Sequence, residues 1–132
     1  MIEFKGWINL RFYVSDEINS SEFIRKGVVC IQERLKEFNS IDNQFIDIKD
    51  LNGFYSLFIG GCHNHDVGYS DSIKNVLNEI TKLAKRSYGL VYVRFLEDTN
   101  NYNKFLVYKL ANGLVTIEED SLLSPCDRRI ED

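Results

Sequence analysis

Apolar and polar residues alternate with two different periods along this chain, and the switches between periods mark out its elements. The run from Ile2 to Val14 is rich in Phe, Ile, Trp, Tyr and Val, with Lys5, Asn9 and Arg11 at polar positions. It predicts a strand. Trp7, in its middle, has a large apolar area to hide and is expected in or near the core. Ser15 to Ser21 is a polar break, in which Asn19, three residues before Glu22, has the spacing of a helix N-cap. Ile24, Val28, Ile31, Leu35 and Phe38 then share one face of a helix expected over Ser20–Phe38, while Arg25, Gln32, Glu33 and Lys36 stay wet. Gly27 inside that helix costs about 1 kcal/mol relative to Ala, so a close packing contact is expected over it.

Asn-Gly between apolar runs is the strongest local hairpin signal, because both residues tolerate the positive φ that strand twist requires of a two-residue turn. Asn52-Gly53 joins a strand near Gln44–Leu51 to one near Phe54–Gly60, and Asn112-Gly113 joins Lys104–Leu110 to Leu114–Glu118. Between the hairpins, Ile73, Val76, Leu77, Ile80, Leu83 and Ala84 make the apolar face of a helix over Ser70–Arg86. Asp71 at its start and Lys82, Lys85 and Arg86 near its end complement the macrodipole. Tyr88–Phe95 is apolar on both faces, as a central strand would be. The last stretch, Glu119 to Asp132, is polar and holds the only proline, Pro125. The order β-α-β-β-α-β-β-β clusters its strands, and it predicts an α+β fold. One domain over residues 1–132 is expected, with two helices packed on one face of a largely antiparallel sheet.

Composition agrees with a folded domain: 132 residues, 44% hydrophobic and 27% charged. The nine Phe and seven Tyr are expected to fill the core of the sheet. Charge adds something the periodicity does not. Through Leu96 the acidic and basic residues cancel, so the whole net charge of −4 arises from Glu97 onward. A locally acidic region repels phosphate and favours a basic partner. Direct binding of nucleic acid is not expected, since Arg86, Arg94, Arg128 and Arg129 form no basic stripe. Three widely spaced cysteines, Cys30, Cys62 and Cys126, argue for a reducing compartment. With no visible signal peptide and no apolar run of membrane-spanning length, a cytoplasmic protein is expected.

Candidate chemistry is confined to one loop. Cys62, His63, His65 and Asp66 lie together after a strand and include both histidines. They lack the four-ligand spacing of a structural zinc site, so no metal or other cofactor is expected. Walker, dinucleotide, nucleophile-elbow and zincin motifs are absent, and no enzyme activity is expected. Glu97-Asp98 and Glu118-Glu119-Asp120 stand at strand ends, where they form an expected acidic patch, and Arg94 is expected to be held by nearby carboxylates.

Four segments occur in an order that carries a resemblance. They are Glu3-Phe4-Lys5-Gly6-Trp7, the loop from Gly60-Gly61 to Asn64-His65, Ser87-Tyr88-Gly89-Leu90-Val91-Tyr92-Val93-Arg94 with Glu97-Asp98, and Leu123-Ser124-Pro125-Cys126 with Ile130-Glu131-Asp132. Together they resemble the seventh family of immunity proteins from bacterial polymorphic toxin systems, which include contact-dependent inhibition systems. Phe95-Leu96 and Asp127-Arg128-Arg129 depart from the family's pattern. The resemblance implies a cytoplasmic monomer that binds the C-terminal domain of a cognate toxin, one to one, and prevents self-intoxication. A nuclease is the expected toxin class, because an acidic inhibitor meets a basic cleft by steered association. The expected contacts are Glu97, Asp98, Glu118, Glu119, Asp120, His63, His65 and Asp66. Two other readings stay open on the residues alone: a small metal-dependent hydrolase using the Cys62–Asp66 loop, and a general protein-interaction module.

Overall fold

In the computed structural model, which describes residues 1–12, 20–96 and 104–124, strand alternation and helix periodicity resolve into one sheet and three helices. The chain runs β1 (Ile2–Asn9), α1 (Ser20–Arg34), α2 (Lys36–Ser40), β2 (Gln44–Leu51), β3 (Phe54–His63), α3 (Tyr69–Leu83), β4 (Tyr88–Phe95), β5 (Phe105–Ala111) and β6 (Leu114–Glu119). The sheet order is β2-β3-β1-β4-β5-β6, and every neighbouring pair is antiparallel. The fold is α+β, as expected, with β1 and β4 at its centre.

Both Asn-Gly turns form where expected. Asn52 and Gly53 have φ of 59° and 85°, and Asn112 and Gly113 have 54° and 74°, the left-handed values a tight hairpin turn demands. Each turn fixes its register, pairing Leu51 with Phe54 and Ala111 with Leu114.

Several boundaries differ from expectation. β3 runs on to His63 rather than stopping at Gly60, so Cys62 and His63 stand on the strand and not in a loop after it. β1 ends at Asn9 rather than Val14, because the Arg11 backbone leaves the ladder: its N–H donates to Ser87 Oγ at 2.9 Å and its carbonyl accepts from Arg86 at 3.0 Å. The expected Asn19 cap lies outside the described residues. The first helix breaks at Leu35, whose φ of −101° and ψ of 8° are not helical, so the second segment is set against β2 as α2. The last helix stops at Leu83, where Ala84 takes φ −138° and ψ 74°.

One face of the sheet carries the core. Ile2, Phe4 and Ile8 of β1, Leu57 and Ile59 of β3, and Val91 and Val93 of β4 are buried against Val28, Ile31 and Phe38 from the first two helices and Ile73, Leu77 and Ile80 from α3. Phe4 lies opposite Gly61 and meets Phe38 edge-on at 6.2 Å; a side chain at Gly61 would strike the Phe4 ring. Gly27 likewise makes room for Phe12, the close contact its position implied.

Candidate functional site

Antiparallel order brings the C-terminal ends of β3, β4 and β6 to one end of the sheet, beside the start of β1. Ile2 lies opposite both His63 and Phe95, Arg94 lies opposite Phe105, and Asp120 donates its backbone N–H to Phe105. The described members of the expected contact set therefore gather around one end, but their side chains do not act together. His63 points into the core side, 8% exposed, stacked on Tyr69 at 3.7 Å, with Nε2 2.8 Å from Gln44 Oε1. Burial lowers its pKa below the ordinary 6.5, which favours the neutral ring. Cys62, one residue earlier on the strand, faces the other way and is exposed. Asp66 caps α3, accepting from the Tyr69 and Ser70 N–H groups at 3.0 and 3.2 Å and from Ser70 Oγ at 3.1 Å. His65 is exposed. Among the described residues, no three His, Cys, Asp or Glu side chains come together as a metal site needs.

The acids are divided too. Glu118 and Glu119 are consecutive on a strand and project to opposite faces, Glu118 toward Lys109 (3.6 Å) and Glu119 toward Lys104 (2.6 Å). Asp120, expected on an exposed patch, is 8% exposed. The correction has a local cause: after β6 the chain turns back, and the Asp120 carboxylate accepts from the Leu123 N–H to hold that turn. Burial, and then the Asp120 charge, push the Tyr92 hydroxyl's pKa up. Glu97 and Asp98 lie outside the described residues. Arg94 pairs with Glu3 across the β1–β4 ladder at 3.3 Å, as its position implied.

Trp7 is the larger correction. It is 41% exposed, on the sheet face that the helices do not cover. The core phase of β1 is Ile2, Phe4, Gly6, Ile8, which leaves Trp7 with Lys5 and Asn9 on the outer face. Register then sets Trp7 between Phe58 and Leu90, while Phe45 lies over Gly60 on the next row. Tyr88 meets Trp7 edge-on at 6.4 Å. Trp7, Phe45, Phe58 and Tyr88 are all exposed.

This face is held in place. Ser56 Oγ donates to Asn9 Oδ1 at 2.8 Å, and Asn9 Nδ2 donates to the Tyr88 hydroxyl at 3.0 Å. Hydrogen bonding to its hydroxyl, by Asn9 first and Arg11 second, lowers the Tyr88 pKa below its ordinary value. The Arg11 guanidinium covers Phe54 at 4.7 Å. Toward the β6 side, Glu3, Lys5, Tyr92, Phe105 and Leu123 line a cleft of about 200 Å³. The signal for this surface was in the sequence: Trp7 is out of phase with Ile2, Phe4 and Ile8, and Phe58 with Leu57 and Ile59. Reading the aromatics as core by type hid it.

Helices cover one face of the sheet and exposed aromatic side chains stand on the other, the kind of surface that marks interaction sites. The family model of Immunity protein 7 matches residues 1–132, the whole chain, and the chain belongs to that family: it is an immunity protein of polymorphic toxin systems. No curated protein and no solved structure matches it. Immunity families in general act by binding, and among the described residues no helix is long and apolar enough to cross a membrane.

Proposed function

We propose that this chain binds the toxin domain of its own system as a monomer, one to one, in the cytoplasm, and neutralises it without catalysing a reaction. The observation that carries this reading is the uncovered sheet face of Trp7, Phe58, Phe45 and Tyr88. Trp and Tyr dominate binding energy at interfaces when neighbours exclude water from them, and here Asn9 already holds Tyr88, which meets Trp7 edge-on. Glu118, Glu119 and His65 contribute polar contacts, Glu97 and Asp98 remain contacts expected from the sequence, and His63, Asp66 and Asp120 hold the local structure around them. The toxin is a nuclease with a basic cleft, and the acids from Glu97 onward speed its capture.

Co-expression tests the reading. Cells making the toxin encoded beside this chain should grow when the chain is present, and nucleic acid cleavage in their lysate should stop at equimolar inhibitor. Growth arrest in the presence of folded protein would refute it. A metal-dependent hydrolase would instead lose activity with Asp66→Ala; here the same variant should lose only α3 stability, by about 1 kcal/mol.

A further inference from the structure

The two edges of the sheet are finished differently. On β2, Ile46 turns its N–H and C=O outward, and Asn39 of α2 meets both. The Ile46 N–H donates to Asn39 Oδ1 at 2.6 Å, and Asn39 Nδ2 donates to the Ile46 carbonyl at 2.9 Å. One amide side chain does there what a further strand would do, and the edge is closed at its middle.

β6 has the opposite finish. The Asp120 N–H bond to Phe105 and the Ala111–Leu114 turn pair set the phase of the ladder, so Leu114, Thr116 and Glu118 bond to β5. Val115, Ile117 and Glu119 therefore point their N–H and C=O groups away from the sheet. Among the described residues, no backbone group from elsewhere bonds to these three. The strand has no Lys, no Pro and three β-branched residues in a row, Val115, Thr116 and Ile117; Leu114 and Ile117 are exposed. Among the described residues, the charges that could blunt this edge are confined to Glu118 and Glu119 at the end of the strand, and Leu114–Ile117 carry none.

We propose that a strand of the toxin pairs with β6, a mode of recognition in which backbone bonds give affinity and side chains give choice. This rests on the toxin-binding reading above. Charge selects the occupant. Glu118 projects on the outer face and Glu119 on the helix face, each in an exposed ion pair that contributes little in water. A strand with Lys or Arg at two consecutive positions meets both acids, one on each face. A second copy of this chain would bring its own Glu118 and Glu119 and neutralise neither. The edge also continues the aromatic face, since Leu114 ends the outer-face row that runs through Ala111 and the Tyr88 end of β4.

Amide exchange of the labelled protein, alone and with the purified toxin domain encoded beside it, gives a signature with a period of two residues. In the complex the Val115, Ile117 and Glu119 amides should slow about 100-fold or more, while Thr116 and Glu118 are slow in both states. Ile117→Pro removes only an outward donor and should weaken binding about tenfold, and Glu118→Lys/Glu119→Lys more. Binding with no new protection at Val115, Ile117 and Glu119 would overturn strand pairing and leave the toxin-binding reading standing. Absence of any binding would overturn both. Protection of the same amides without toxin, at rising concentration, would show a second copy as the occupant and overturn the assignment to toxin.

Discussion

His63 shows how a residue chosen for its chemistry becomes a structural one. It was a candidate contact because it sits beside Cys62, His65 and Asp66, yet its ring is stacked on Tyr69 and bonded to Gln44. Its folded pKa is lowered by burial, while the unfolded chain keeps the ordinary 6.5. Between those values the unfolded state binds more protons, so stability is full above about pH 6.5 and falls as pH drops through that window. Urea unfolding from about pH 7.5 to 5.5 should show this slope, and His63→Gln should flatten it; an unchanged slope would contradict the placement. Trp7 went the other way, from expected core to exposed surface. Alternation marks it, since Lys5 and Asn9 share its phase, but Gly6 leaves a gap in the core phase that makes the run look apolar throughout. Asp120 was not legible at all, because its burial depends on a turn formed after β6, which no periodicity records.

At the scale of elements, local signals were read well and tertiary ones were not. The hairpins follow from Asn52-Gly53 and Asn112-Gly113, whose turn geometry is decided by those residues alone, and β2 and β4 have the bounds their patterns gave. The break between α1 and α2 is invisible in the pattern, because Ile31, Leu35 and Phe38 continue one apolar face across it. What the break achieves is the approach of α2 to β2, where Asn39 closes the edge at Ile46. Asn39→Ala should therefore cost about 1–3 kcal/mol, since it leaves both Ile46 groups unpaired in a part-buried site. It should also raise self-association in sedimentation runs at increasing concentration. A variant as stable and as monomeric as the parent would show that α2 does not guard the edge.

For the molecule as a whole, the toxin-binding reading proposed above has the asymmetry of charge and the asymmetry of the sheet act at different stages of binding. Net charge of −4, placed after Leu96, governs encounter, and association should slow as salt shortens the screening length to about 8 Å at physiological ionic strength. In the same reading, the aromatic face governs how long the complex lasts. The central claim, that the uncovered face around Trp7 holds the toxin, is tested most directly by measuring toxin affinity and folding stability together for Trp7→Ala and Phe58→Ala. With Trp7 41% exposed, its loss should cost about 1–2 kcal/mol of stability. Affinity should fall about 30-fold or more, mainly through faster dissociation. Wild-type dissociation rates in both variants, with the protein folded, would contradict the account.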